Sequence, residues 1–444
     1  MKQTHIVVEQ SKPLQGAVGL SGAKNAVLVI MASLILTRGR STLTNVPASD
    51  DVLHMILLLK SLGAEVYFCK DEQFIEVDTT YINKWKVLPE IMKKMRASIL
   101  VMGPLLARFG KADVALPGGC VIGVRPVDYH VKNFVRMGVE IETKGEFLTA
   151  YTKKLLPGRI VLEYPSVGAT ENVMMAAVRT QGVTKIINAA LEPEVLDLIT
   201  VLKKMGANIV VQAPATIVIE GVQELHSVQH EVLVDRLEAG ALLLAAAVTG
   251  GTVTISRAPA YAMDVFLMKL QEMGHTVIVG ENGVGITLIA IRQPRAVSFK
   301  TAPYPGFPTD LQAPMMAAQC LAQGSCIIEE TVFENRLVHV RELQKMGAQI
   351  TVEHNRAIVK GVDELFGACV IATDIRASCA FVLAGLQAKG KTIISGIKHF
   401  KRGYDGLERK LRQLGASIEL QSNLNDQIVS YQSAATILDR IESK

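Results

Sequence analysis

At 444 residues the chain is too long for one ordinary hydrophobic core and should divide into two or three domains. Hydrophobic residues make up 49% and charged ones 20%, the balance of a soluble globular protein, and a net charge of only +5 argues against a dedicated nucleic-acid binder. Aromatic residues at 5% are too few for a base-stacking platform.

The first segment, MKQTHIVVEQSK, lacks the apolar core of a signal peptide. The most apolar run, Ala26 to Leu36, falls far short of the ~20 residues that span a bilayer, so no membrane partner is expected. Cysteines at 69, 120, 320, 326, 369 and 379 form no CxxC pair and no metal-ligand spacing. They read as reduced thiols in a cytoplasmic protein.

Along the chain one unit recurs. LKSLGAEV, FVRMGVEI, LKKMGANI, LQEMGHTV, LQKMGAQI and LRQLGASI place glycines at 63, 138, 206, 274, 347 and 415, in steps of 75, 68, 68, 73 and 68. Each copy reads as a helix that closes on a glycine and passes straight into a strand. Upstream of each glycine lies a candidate helix start: SGAKN (21–25), MRAS (95–98), SVGAT (166–170), RLEAG (236–240), FPTD (307–310) and IRAS (375–378). Ala/Leu/Met-rich runs follow, then a β-rich stretch such as GTVTIS (251–256). The unit is strand, helix, strand, helix, strand, used six times, and six divides naturally into three plus three. The sequence therefore predicts an α/β protein of two similar domains. Their border lies near Gln229 to Val234, the most apolar helices point inward, and the Lys- and Gln-bearing closing helices face water.

A helix start presents unpaired N–H groups and a partial positive charge that suit phosphate or carboxylate. Lys24, Arg96, Arg125 and Arg376 lie at or near such starts. Each alone reads as a solvated surface cation; together they predict an anion-binding cleft. GxGxxG does not occur, and the one match to GxxxxGK[ST], GLQAKGKT (385–392), follows an apolar helical run and leads into the β-rich KTIISG, the reverse of the strand–loop–helix order a P-loop needs, so neither a P-loop nor a Rossmann nucleotide site is supported. The stretch LPGGCVIGVRPVDYH (116–130) sets Cys120 among glycines with Arg125, Asp128 and His130 close behind. A nearby cation favours thiolate, so Cys120 is either an acid, base or nucleophile, or a packed thiol in an ordinary turn.

SGAKNA (21–26), KMRAS (94–98), the Cys120 stretch, SVGATENVMMAA (166–177), NAALEPEV (188–195), FPTDLQAP (307–314), TVFENRLVHV (331–340), DIRAS (374–378) and HFKRGYDGLERKL (399–411) together resemble the bacterial UDP-N-acetylglucosamine 1-carboxyvinyltransferases, in order from about Leu14 to Ile418. The resemblance implies two inside-out α/β barrel-like domains of three repeats each. The N-terminal domain would span 21–233 with the cysteine loop. Residues 1–20 and 234–420 would form the C-terminal domain, and 421–444 an extension beyond the usual end. It implies transfer of the enolpyruvyl group of phosphoenolpyruvate to the 3-hydroxyl of UDP-N-acetylglucosamine with release of phosphate, by a monomer with those two small-molecule substrates and no cofactor.

By motif position, Cys120 and Asp310 would be catalytic, Cys120 as proton donor and Asp310 at the sugar hydroxyl as base or orienter. Lys24, Asn25, Arg125, Arg336, Arg376 and Arg402 would bind phosphoenolpyruvate. Arg96, Arg125, Pro126, Val127, Asp128, Tyr129, Ser166, Val167, Asp310 and Val332 would bind the nucleotide sugar, and Asp374 would orient cations. Asp310 alone also reads as a helix N-cap, and His130, His339 and His399 as polar packing partners.

The chain departs from the pattern in places. Lys401 stands before Arg402 where an acidic residue is usual, Tyr129 replaces a smaller apolar residue, and Tyr164 and Pro165 occupy a segment that often carries lysine. Two other readings stand beside the first. The sister enzyme on 3-phosphoshikimate carries a GSK-type start where this chain has GAKN and lacks the cysteine loop. The other is a non-catalytic nucleotide-sugar-binding paralogue.

Overall fold

The computed structural model describes residues 4–87, 89–92, 96–115 and 127–422, with the backbone alone at 92, 96–98 and 422. Two compact units are present. One comprises Leu20–Arg236 with Pro303–Gly306; the other comprises the chain up to Gly19, Leu237–Ala302, and the chain from Phe307 on.

Each unit is three copies of one motif. In the copy that begins at Arg159–Val161, that short strand leads to the helix Val167–Ala177, the strand Val183–Ile187, the helix Pro193–Lys204, and the strands Asn208–Gln212 and Thr216–Glu220. Arg159–Val161 pairs parallel with Val183–Ile187, which pairs antiparallel with Thr216–Glu220, which pairs antiparallel with Asn208–Gln212. The same order recurs in five further sheets among the described residues, one of them with an isolated bridge, Lys86 to Asp113, at its parallel edge. Each copy thus holds one strand more than the sequence pattern resolves. The short parallel edge strand, three residues at Arg159–Val161 and at Gln229–Glu231, is too brief to show a two-residue period.

Both units close on themselves. Gln229–Glu231, at the end of one, pairs with Arg40–Thr44 near its beginning. In the other, Thr4–Glu9 lies between Lys391–Ser395 and Ile418–Ser422, antiparallel to both.

The six closing glycines all have positive φ, from 79° at Gly138 to 108° at Gly63, a region that an L side chain rarely adopts. At each, the glycine N–H donates to the carbonyl three residues back, and the next N–H donates to the carbonyl five residues back. Gly206 to Lys203 and Ala207 to Leu202 are one such pair, at 2.9 Å each. Orphaned helix carbonyls are thereby satisfied and the chain turns directly into the strand.

The first helix of most copies is apolar over nearly its whole surface and therefore buried. In Arg236–Thr249, Leu242, Leu243 and Leu244 are all fully buried, each stabilising the fold by roughly 1.5–3 kcal/mol. Within the Leu20–Arg236 unit, Met102–Phe109 packs on Val167–Ala177 so closely that a Cβ on Gly103 would lie 2.2 Å from the Asn172 carbonyl oxygen. Asn172 fastens the same contact, accepting from the Gly103 N–H at 2.6 Å and donating to the Ile99 carbonyl at 2.9 Å. No helix among the described residues is long and apolar enough to cross a membrane.

Candidate active site

In the unit from Leu237 on, Asp310 is the centre. It sits in a 3-10 turn, Thr309–Leu311, that leads into the helix Gln312–Gln319. Its carboxylate does not cap that helix, since both oxygens are taken elsewhere. Arg336 Nη2 donates to Oδ1 at 2.8 Å and Arg376 Nη2 donates to Oδ2 at 2.7 Å. Burial pushes the Asp310 carboxyl up, but the two guanidiniums outweigh it and hold it far below the usual carboxylate range. A carboxylate so held is a strong hydrogen-bond acceptor and a weak base.

The arginines are themselves fixed. Asp374 caps the helix Ile375–Gly385, accepting from the N–H groups of Arg376 at 2.8 Å and Ala377 at 3.0 Å, and so sets the backbone from which Arg376 extends. Arg376 Nη1 donates to the Tyr404 hydroxyl at 3.1 Å and its guanidinium lies 5.5 Å from that ring's centre. Burial first, then the neighbouring Cys379 thiol, keep the Tyr404 phenol well above its ordinary range. Arg336 is buried, stacked 5.2 Å from the Phe333 ring, and its Nη1 has no partner among the described residues. A buried guanidinium nitrogen with donors to spare beside a carboxylate suits an incoming anion.

His339 fixes the Arg336 backbone, its Nδ1 lying 3.1 Å from the Arg336 carbonyl. That contact assigns the proton to Nδ1. Burial and the Arg336 charge, against the pull of Asp374, bring its pKa down to about 4, so the ring is neutral. Arg402 is half-buried in Lys398–Gly403, whereas Lys401 is exposed on the same turn. Burial, helped by the charges of Lys398 and Arg402, lowers the pKa of His399. Val332 is half-buried and its N–H donates to Glu330 Oε1 at 2.8 Å.

In the Leu20–Arg236 unit, Lys24 is the first residue of the helix Lys24–Ser33 and is nearly buried, with its Nζ 3.2 Å from Asp51 Oδ2. Asn25 beside it is exposed. Ser166 caps Val167–Ala177, accepting from the Ala169 N–H at 3.4 Å, and Val167 is half-buried at the first turn. Val127 precedes the helix Asp128–Arg136. Asp128 pairs with Lys132 at 3.9 Å while its Oδ1 is buried without a partner among the described residues. Tyr129 packs part of its ring on this unit's core. His130 accepts at Nδ1 from Asn172 at 3.1 Å, a packing role. Arg96 opens the 3-10 run Arg96–Val101. Cys120, Arg125 and Pro126 lie outside the described residues.

Sequence reasoning passed over several residues that organise these groups. Asp51 and Glu330 carry no motif spacing and are recognised only by what they touch, and Tyr404 lies within HFKRGYDGLERKL but shows its role only in its contact with Arg376. The NAALEPEV stretch also gains a meaning. Glu194 grips Arg236 with both oxygens, at 3.0 and 3.2 Å, and Arg236 lies 5.6 Å from the Tyr304 ring centre. Glu171 is pushed well above the usual carboxylate range, by burial first and then by the negative charges of Glu192 and Glu194.

Comparison with known proteins gives a consistent likeness. A family model described as EPSP synthase (3-phosphoshikimate 1-carboxyvinyltransferase) matches residues 8–411. The chain is 49% identical over 416 residues to UDP-N-acetylglucosamine 1-carboxyvinyltransferase 1 of Caldanaerobacter subterraneus subsp. tengcongensis, covering 94% of this chain and 99% of that one. It is 46% identical over 414 residues to the UDP-N-acetylglucosamine 1-carboxyvinyltransferase of Geobacter metallireducens, covering 93% and 98%. Among solved structures, the enolpyruvyl transferase NikO from Streptomyces tendae superposes with a TM-score of 0.86 at 24% identity, over 96% of this chain and all of that one. EPSP synthase from Acinetobacter baumannii does so with a TM-score of 0.73 at 16% identity, over 95% of this chain and all of that one. At these identities the structural likeness speaks for the fold alone.

Proposed function

The chain belongs to the enolpyruvyl transferase family that the EPSP synthase model describes, on the branch of the UDP-N-acetylglucosamine 1-carboxyvinyltransferases, and from that premise we propose how its residues share the reaction. The enzyme transfers the enolpyruvyl group of phosphoenolpyruvate to the 3-hydroxyl of UDP-N-acetylglucosamine and releases phosphate, the first committed step of peptidoglycan precursor synthesis.

In the addition step the sugar 3-oxygen bonds to C2 of phosphoenolpyruvate while a proton goes to its methylene carbon, which becomes a methyl group. In the elimination step a proton leaves that methyl group and phosphate departs with the C2–O electron pair. Cys120 delivers the proton and Asp310 receives the sugar hydroxyl. The observation that carries this reading is the Asp310 carboxylate held between Arg336 and Arg376. So held, Asp310 orients the hydroxyl. It becomes a competent base only once an anionic substrate draws the guanidiniums toward its own carboxylate. Lys24, Arg125 and Arg402 take the phosphate, Asn25 lies against phosphoenolpyruvate beside Lys24, and Arg336 and Arg376 take the carboxylate end. Ser166 and Val167 present a helix start to the diphosphate, and Arg96, Pro126, Val127, Asp128, Tyr129 and Val332 complete the nucleotide-sugar contacts.

Phosphate release from phosphoenolpyruvate tests the reading: release with UDP-N-acetylglucosamine and none with 3-phosphoshikimate is the expected result. The reverse pattern selects the sister activity, and silence with both selects a binding paralogue. Fosfomycin should alkylate Cys120 alone. Burial pushes the thiols of Cys320 and Cys326 up to about 12 and that of Cys379 to about 11, so none of the three supplies thiolate at neutral pH. A mass spectrum with the label elsewhere overturns the role of Cys120. We also place the enzyme in the cytoplasm as a monomer serving cell shape and division. The free state of all five described cysteines suits that compartment.

A further inference from the structure

Glu330 is 2% exposed, and no ion pair reaches it among the described residues. Four hydrogen-bond donors surround its carboxylate instead. Oε1 accepts from Thr301 Oγ1 at 3.0 Å, from the Val332 N–H at 2.8 Å and from the Phe333 N–H at 3.1 Å; Oε2 accepts from Thr309 Oγ1 at 2.9 Å. A carboxylate offers about four acceptor sites, two on each oxygen, and here three donors converge on Oε1 while Thr309 alone holds Oε2. The donors come from two segments with separate duties. Thr309 directly precedes Asp310. Val332 and Phe333 begin the loop that ends at Arg336, whose side chain meets Asp310 at 2.8 Å.

We propose that Glu330 is a positioning residue, which sets the register between the Asp310 turn and the Val332–Arg336 loop while touching neither substrate. The inference rests on the roles given above to Asp310 and Arg336. The bonds to Val332 and Phe333 anchor the loop, and the bond to Thr309 ties the turn to the same carboxylate. Asp310 is thereby held at one height relative to the guanidinium that must later leave it. A displacement of about 1 Å at a reacting group costs up to about a hundredfold in rate, so the pin acts on turnover more than on binding.

Three variants test this, with kcat per folded active site and KM for each substrate measured well below the thermal midpoint. Thr309→Val removes only the bond to the Asp310 turn. It should lower kcat about tenfold or more, leave KM for UDP-N-acetylglucosamine within about threefold, and barely move the midpoint. Glu330→Ala leaves four donors without an acceptor and should lower kcat about a hundredfold. Glu330→Gln keeps an oxygen for the backbone donors, and the Thr309 hydroxyl can reverse to accept, so turnover should stay within about threefold of the unmodified enzyme. A purely structural residue would shift the midpoint and the folded yield but not kcat per folded site. Unchanged kcat in Thr309→Val overturns the inference even where Glu330→Ala fails to fold. A Gln variant as slow as the Ala variant also overturns it, because charge and not register would then be decisive. Failure of the unmodified enzyme to release phosphate would count against the activity itself, whereas normal turnover with indifferent variants counts against this inference alone.

Discussion

Asp310 and Arg376 stand 66 residues apart in the chain and 2.7 Å apart in space, and Arg376 Nη1 reaches on from that contact to the Tyr404 hydroxyl at 3.1 Å. Carboxylate, guanidinium and phenol form a line in which each group orients the next. The arrangement exposes the site to perturbation from either end.

At one end, Asp310→Asn should lower kcat by about 10² to 10⁴, the range for losing a positioned proton acceptor. It should also destabilise the fold by about 1–3 kcal/mol, since two guanidiniums lose their counter-charge. The native carboxyl titrates far below its unfolded value of ~3.9. Its stabilising contribution is therefore fully present above that value and is lost as pH falls further. The stability gap between the two proteins should stay level from pH 7 to 5 and narrow below about pH 4. Urea titration across that range checks it; a gap that widens toward acid contradicts the ion-pair account.

At the other end, Tyr404→Phe keeps the ring beneath Arg376 and removes only the hydroxyl. The loss should be about 1 kcal/mol in stability, with a several-fold rise in KM for phosphoenolpyruvate and little change in KM for the nucleotide sugar. Equal increases in both would place Tyr404 outside the carboxylate end of the site.

Two buried histidines set a pH dependence. Burial lowers the pKa of His275 to about 4, with its Nδ1 accepting from the Ile291 N–H at 3.2 Å, and His339 also falls to about 4. Both native values lie below the unfolded ~6.5, so the unfolded chain binds protons that the native rings refuse. Stability is fully present above about pH 6.5 and lost as pH falls toward 4, by up to about 1.4 kcal/mol per pH unit for each ring. Denaturation midpoints should drop between pH 7 and 5, and His275→Asn with His339→Asn should flatten that slope. A wild-type midpoint level over this range would rule out neutral burial of both.

Packing gives the sharpest structural forecast. Gly103→Ala would set a methyl group 2.2 Å from the Asn172 backbone carbonyl, where no flexible side chain can yield. Overpacking against main chain should cost about 3 kcal/mol or more and lower the folded yield. Gly240→Ala, whose nearest neighbour is the movable tip of Leu311 at 2.5 Å, should cost less. Thermal melts of the two variants would establish the order, and the reverse order would show that the helix pair spreads readily.

The repeat was legible because its punctuation is chemical. Only glycine suits the left-handed turn that closes each second helix, so the six steps could be counted from the sequence. Helix starts were legible by contrast with the apolar runs behind them, although Arg96 and Thr309 enter through 3-10 turns that no period announces. Three-residue edge strands left no pattern. Among the site residues, Asp310, Arg336 and Arg376 could be marked as chemistry-bearing, yet nothing local says that they meet, because the contacts span 26 and 66 residues. Asp51, Glu330 and Tyr404 were opaque for the same reason: each acts through a partner remote in sequence.

The strand Thr4–Glu9 has a further consequence, for biosynthesis. It lies in the interior of a sheet whose flanking strands are drawn from Lys391–Ser395 and Ile418–Ser422. During synthesis this apolar segment emerges well before both of the strands that flank it, and it can pair with neither until they follow. Until then its two unpaired edges invite association with other chains, so a chaperone that holds this strand as it emerges should raise the yield of folded enzyme more than one acting after release.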